Sequence, residues 1–149
     1  MQPNVLYRRI PDLVAIHGRA VQPRDLEPVL TFEDPPILVC RLGRVSLPRP
    51  LRQTTVSAVY ALAPDGAPAV PTGLVLVCLR EGIPAAERRE TFLREGFTLH
   101  DILPYAPNAA WVKATSGGIS RSLRGIPALE ALPDVENVEP QMLRRPSRR

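Results

Sequence analysis

The stretch GLVLVCLREGIPAAERRETFLREGFTLHDIL, residues 73–103, decides how the chain folds. Gly73 to Leu79 is a continuous apolar run of strand length, suited to the centre of a sheet. The pattern then changes period. Pro84 fits a first helical turn, Ala85, Ala86, Arg89, Phe92 and Leu93 fall on one helical face, and Gly96 supplies a left-handed stop. Glu90 and Arg94 stand four apart with the favourable polarity for a helical ion pair. After Gly96, Phe97 and Leu99 alternate with Thr98 and His100, which marks a second strand.

Moving towards the C-terminus, PYAPN (104–108) is turn chemistry, and AAWVKAT (109–115) alternates again. Ala110, Val112 and Ala114 share one face of that strand, and Trp111, Lys113 and Thr115 share the other. SGGIS (116–120) breaks the pattern. SRSLRGIPALEAL (120–132) then places Leu123, Ile126, Leu129 and Leu132 at helical spacing, with a kink or restart at Pro127. DVENVEP (134–140) is a short strand ended by Pro140. The order strand, helix, strand, strand, helix, strand predicts an α+β fold, a split βαβ or ferredoxin-like sandwich of one antiparallel sheet and two helices. The tail after it is expected outside the core. Trp111, opposite the apolar stripe of its strand, is a candidate interface residue.

Moving towards the N-terminus, Pro23, Pro28, Pro35, Pro36, Pro48 and Pro50 exclude long helices. Short candidate strands remain: DLVAIHG (12–18), ILVCRLG (37–43) and TTVSAVYAL (54–62). RDLEPVL (24–30) fits a single helical turn stopped by Pro28. This part reads as a small β-rich region of unknown fold, or as an extended arm. APDGAPAVPTG (63–73) reads as a linker, because its prolines oppose central pairing; the alternative is a turn at Asp65 and Gly66 joining two strands. The expected organisation is therefore a β-rich region over 1–70, a ferredoxin-like domain over 71–143 and a basic tail over 144–149.

Composition excludes several functions. The net charge of +4 rests almost wholly on arginine, Lys113 being the only lysine, and acidic residues are interspersed through most of the chain, the tail being purely basic. Aromatics make up 5% of the chain and interleave with no basic stretch, so nucleic-acid binding is not expected. No apolar run approaches the roughly 18 residues that span a bilayer, so no membrane partner is expected. The N-terminal MQPNVLYRRIPDL lacks the form of a secretion signal, which predicts a cytoplasmic protein, or one exported after removal of a leader. Cys40 and Cys78 each end an apolar run and read as reduced, buried strand residues. With two cysteines and two histidines far apart in sequence, no metal site and no cofactor are expected. The chain has no Gly-x-Ser-x-Gly elbow and no phosphate loop; TSGGIS reads as a turn, His100 as a solvent-facing residue and His17 as a strand end. Enzymatic activity is not expected.

Three places, in order and at consistent spacing, carry a resemblance: the opening GLVLVCLREGIPAAERRETFLREGF, the hairpin LPYAPNAAWVKA, and the closing LEALPDVENVEPQML. From Gly73 to about Leu143 the chain resembles the propeptide, or inhibitor domain, of subtilisin-like serine proteases. The closing motif is the most specific, a helix ending in Leu-Pro-x-Val before a strand finished by Val-Glu-Pro. The resemblance implies a ferredoxin-like fold that packs the open face of its sheet on two surface helices of the protease. It also implies a C-terminal tail laid in the substrate groove, and a role as folding chaperone and tight inhibitor. Glu139 matches the acidic position that meets the helix N-termini of the protease, and Gln141 matches a second, often acidic, capping position. Trp111 would lie on the protease-binding face. Met142, Leu143, Arg144, Arg145, Pro146 and Ser147 would occupy the groove as an added strand.

The chain departs from the family pattern in three respects. Propeptides precede their protease, whereas this sequence stops at Arg149, which predicts a stand-alone inhibitor or a cleaved fragment. The tail is basic where family tails are often apolar, and Arg145-x-x-Arg148 would suit an acidic groove. The first 70 residues have no counterpart in the resemblance. The expected function is inhibition, or assisted folding, of a subtilisin-like serine protease. The alternative is a ferredoxin-like regulatory or protein-interaction module with no protease partner.

Overall fold

Among the described residues, strands make up the first half of the chain and alternate with short helices in the second. The strands are β1 (Tyr7–His17), β2 (Glu27–Phe32), β3 (Ile37–Arg41), β4 (Val56–Leu62), β5 (Pro68–Leu79), β6 (Phe97–Leu103), β7 (Ala106–Ala114) and β8 (Val135–Arg144). Between β5 and β6 a 3-10 turn (Ala85–Arg88) leads into α1 (Arg89–Arg94); between β7 and β8 lie α2 (Ile119–Arg124) and α3 (Ile126–Glu130). These assignments come from a computed structural model that describes residues 7–18, 27–33, 35–41, 56–62 and 67–144. The chain divides into two units, Met1–Pro71 with Met142–Arg149, and Thr72–Gln141.

In the second unit the strand order is β8-β5-β7-β6. β5 pairs antiparallel with β7 from Leu74↔Lys113 to Cys78↔Ala109, and β7 pairs antiparallel with β6 from Phe97↔Ala114 to Leu103↔Ala106. β8 runs antiparallel to β5. The Arg80 N–H donates to the Asp134 carbonyl at 2.9 Å near one end, and Thr72 Oγ1 donates to Gln141 Oε1 at 2.7 Å near the other.

Strand alternation then decides what is buried. Val75, Val77 and Leu79 of β5, Phe97 of β6, Ala110 and Val112 of β7 and Val138 of β8 form one cluster with Ala85, Phe92 and Leu129 from the helical segments. Burying a side chain of the Val, Leu or Phe class contributes about 1.5–3 kcal/mol. Both helical layers therefore cover the same face of the sheet, and Leu74, Leu76, Cys78, Trp111 and Lys113 point to the other.

The helices differ from expectation in detail. Of the five residues expected on one helical face, only Ala85 and Phe92 are buried, while Ala86, Arg89 and Leu93 are exposed, Leu93 by 48%. A 3-10 turn advances three residues per turn, so beginning the segment this way shifts the apolar stripe before α1 starts. The later segment restarts as foreseen around Pro127. Gly125 caps both α2 and α3, and Pro127 sits in the first turn of α3, where its missing N–H is not needed. Ser122 is buried, and its Oγ accepts the Ala114 N–H at 3.0 Å, tying α2 to the end of β7.

In the first unit the order is β2-β3-β1-β4-β5, all neighbours antiparallel. Both faces carry apolar residues: Leu13, Ala15, Ile37, Val39, Val59 and Val70 cluster on one, and Val14, Ile16 and Cys40 on the other. The unbroken buried run Leu13–Ile16 follows from that arrangement.

Three expectations are corrected. Glu27 to Leu30, expected as part of a helical turn, belongs to β2; Pro28 is tolerated because β2 is the edge strand, with a register shift between Pro28 and Leu30. The stretch expected as a linker is a strand from Pro68 onward, paired through Tyr60↔Ala69 and Ala61↔Pro68. Pro68 opens the strand, a position where proline removes no needed donor; the alternative turn at Asp65 and Gly66 lies outside the described residues. The last strand does not end at Pro140. β8 also lies at an edge, pairing with β5, so Pro140 interrupts nothing essential and the strand continues to Arg144. Its Leu143 packs against the cluster that contains Leu13 and Val39. Residues 24–26, 42–43 and 54–55, also part of the expected elements, lie outside the described residues. None of the described helices is long and apolar enough to cross a membrane.

A Cβ added at Gly125 would meet Phe97 Cε2 at 2.5 Å and Cζ at 2.7 Å, although its backbone φ of −81° suits any residue. Gly125→Ala is expected to destabilise the protein by about 1–3 kcal/mol through overpacking against a fixed ring. Gly118→Ala, whose nearest contact would be 3.7 Å, is expected to have little effect. Urea denaturation of both variants checks the difference; equal midpoints would show that Phe97 can yield.

Candidate functional site

The helix-free face of the β8-β5-β7-β6 sheet gathers residues that are far apart in sequence. Register brings Leu76 of β5 opposite Trp111 of β7, and Trp111 opposite Asp101 of β6. The neighbouring row holds Leu74, Lys113 and Thr98, and the Thr98 and Thr115 hydroxyls share a hydrogen bond of 3.1 Å. Leu74, Leu76 and Trp111 are half-buried, whereas Asp101 and Lys113 are exposed. The result is an apolar strip between charged margins, a composition suited to protein contact.

Val138 of β8 points to the core, so Asn137, Glu139 and Gln141 face the other way. Glu139 is exposed, and its Oε1 accepts from Asn137 Nδ2 at 3.1 Å. Gln141 differs in polarity. Its Oε1 accepts the Thr72 hydroxyl at 2.7 Å, and the same hydroxyl oxygen accepts the Leu74 N–H at 3.2 Å. One lone pair of its carbonyl oxygen is thereby engaged and the other stays available, alongside the N–H donors of the amide.

Met142, Leu143 and Arg144, expected at the start of a free tail, are the last residues of β8, and Leu143 is packed. Arg145, Pro146 and Ser147 lie outside the described residues.

The remaining candidates carry less chemistry. Cys40 is buried, but Cys78 is half-buried on the helix-free face, and neither forms a disulfide. Burial pushes both thiols up, and the carboxylates of Glu139 and Glu136 push Cys78 further, so both stay protonated and weakly nucleophilic. Among the described residues no group of three His, Cys, Asp or Glu side chains could hold a metal ion. His100 is exposed on β6. A recess of about 170 Å³ is lined by Leu79, Phe92, Leu132 and Val135 and by the Arg88–Asp134 ion pair, whose N···O distance is 3.1 Å. Each of these two ionisable groups already serves the other, and at about one-third exposure the pair contributes no more than ~1 kcal/mol.

Comparison with protein-family models, with curated proteins and with solved structures finds no match to this chain.

Three polar arrangements escaped the sequence. Asn137 stands two residues before Glu139, a strand spacing that would have revealed it. The Thr72–Gln141 bond spans 69 residues and has no local signal. His17 likewise meets a distant partner: its Nε2 and Ser57 Oγ share a hydrogen bond of 2.8 Å, with Ser57 only 8% exposed. The pair satisfies two polar groups placed among apolar strands.

Burial lowers the His17 pKa below its ordinary value of 6.5. In the folded chain the imidazole resists protonation, so as pH falls below 6.5 the unfolded chain takes up the proton first and stability drops. The contribution is whole above pH 6.5 and fades below it. His17→Gln, which cannot titrate, is expected to show a smaller loss of urea midpoint between pH 7.5 and pH 5.5 than the parent. An identical loss would show that His17 titrates alike in both states.

Proposed function

We propose that residues 72–141 form a ferredoxin-like sandwich and that the protein inhibits, and assists the folding of, a subtilisin-like serine protease. The observation that carries the reading is the helix-free sheet face, where Leu74, Leu76 and Trp111 form an apolar strip beside the exposed Glu139 carboxylate. The β8-β5-β7-β6 order with both helical layers on the opposite face supports the fold part of the reading.

In this proposal the strip is dehydrated against surface helices of the protease, with Trp111 as the central anchor. Glu139 accepts backbone N–H groups at a helix N-terminus, where a carboxylate also complements the helix dipole. The chain beyond Arg144, beginning with Arg145, Pro146 and Ser147, enters the substrate groove as an added strand held by main-chain hydrogen bonds. The same complementary surface that blocks the mature enzyme can stabilise its folding intermediate, because binding favours whichever state displays the matching helices.

The test is a titration of mature subtilisin-like proteases with the purified chain, read as residual activity. A sharp end point at one chain per enzyme is expected. Leu76→Glu places a charge at the centre of the strip and is expected to weaken inhibition about a hundredfold or more, since an unpaired charge is costly to dehydrate. Ending the chain after Arg144 is expected to weaken inhibition while leaving complex formation detectable. Lack of inhibition by the parent chain overturns the proposal.

A further inference from the structure

The recess between α1 and the turn that leads into β8 lies on the helical side of the sheet and takes no part in the docking proposed above. Leu79 and Phe92, both buried, form its floor, and the half-buried Leu132 and Val135 pack against the same core. Its volume of about 170 Å³ is close to that of an apolar cavity that takes one benzene ring, roughly 150 Å³. Three polar side chains line it as well. Arg88 comes from the junction of the 3-10 turn with α1, Thr91 from α1 itself, and Asp134 from the residue before β8.

Arg88 and Asp134 hold each other at this recess, Arg88 Nη2 donating to Asp134 Oδ2 at 3.1 Å. That bond takes one N–H of the guanidinium fork. The other guanidinium N–H groups, Asp134 Oδ1 and the Thr91 hydroxyl have no side-chain partner among the described residues. A positive and a negative group thus stand side by side over an apolar floor, each with bonding capacity to spare. A carboxylic acid entering alone would set its charge beside Asp134, and an amine entering alone would set its charge beside Arg88. A zwitterion satisfies both. We propose that the recess binds a free α-amino acid with an apolar side chain. The side chain, a phenyl ring or a branched alkyl group, fills the apolar floor, the carboxylate accepts from the unused Arg88 N–H groups, and the ammonium donates to Asp134 Oδ1. A few convergent polar groups over an apolar pocket is the usual composition of a small-ligand site. The existing ion pair holds both charged groups in place beforehand, which lowers the cost of ordering them around a ligand. Nothing in this assignment depends on a protease partner.

The test is a titration of the 15N-labelled full chain with L-phenylalanine and, separately, with L-leucine, read as backbone amide shifts in 1H–15N NMR spectra. Saturable shifts centred on residues 88–92 and 132–135 are expected with at least one of the two, with a dissociation constant of about 1–10 mM for a ligand of this size. Glycine lacks the apolar group, 3-phenylpropionate the ammonium and phenylalaninamide the carboxylate. Each should bind at least about tenfold more weakly, the scale of a lost charged hydrogen bond or of lost apolar burial. Arg88→Met keeps the apolar stem without the charge and should weaken binding about tenfold, while the melting temperature falls little because the ion pair is partly exposed. Leu132→Trp fills the recess and should abolish the shifts. The analogue series is measured on the parent chain, so it decides the matter even where Leu132→Trp disturbs the packing. No saturable shift with either amino acid, shifts centred elsewhere, an Arg88→Met chain that binds as the parent does, or an analogue that binds as tightly as the amino acid would each overturn the proposal.

Discussion

Burial of a single face of the β8-β5-β7-β6 sheet is the constraint on which the second unit depends. The alternating residues Val75, Val77 and Leu79 meet Ala110 and Val112 across the pairing of β5 and β7, and Phe92 and Leu129 press onto them from the helical layers. Because strand side chains alternate, packing these residues inward commits Leu74, Leu76 and Trp111 to the opposite side. The helices spend their short apolar surfaces on the first face and leave none for the second. The apolar strip is thus the outward side of the same strands whose inward side builds the core.

Smaller polar contacts hold this arrangement at its seams. Ser122 supplies the acceptor for the buried Ala114 N–H, Asn108 Nδ2 donates to the Leu79 carbonyl at 2.9 Å, and the Arg80 N–H meets the Asp134 carbonyl where β8 begins. Each satisfies a backbone group that strand or helix pairing leaves over, and a buried group left alone would cost about 1–3 kcal/mol. Gly125 contributes differently. Its missing side chain is the space into which the Phe97 ring fits.

Much of the second unit was legible in the sequence, because alternation and helical spacing are local patterns. Phe97, Val112 and Leu129 could be assigned to the core, and Trp111 to the opposite face, from spacing alone. What escaped the sequence depends on edges and on distance. Proline reads as a breaker at Pro28, Pro68 and Pro140, but an edge strand or strand start tolerates the missing donor, so β2, β5 and β8 reach further than composition suggests. The 3-10 start before α1 displaced an apolar stripe that an ideal helix would have kept. At the candidate site, one lone pair of the Gln141 carbonyl is taken by Thr72, whose proximity only the β5–β8 pairing creates.

In the proposed complex, the face carrying Trp111 is the one that docks on a subtilisin-like protease. Trp111 is the only tryptophan in the chain, so replacing it with 5-fluorotryptophan gives one 19F signal from that face. The decisive measurement is the 19F NMR spectrum of the labelled chain with and without an active-site-blocked subtilisin-like protease, complex formation being checked by size-exclusion chromatography. With the proposed docking, the signal shifts and loses its solvent isotope response in the complex. An unchanged signal in a complex that demonstrably forms would place the contact elsewhere on the molecule and contradict it.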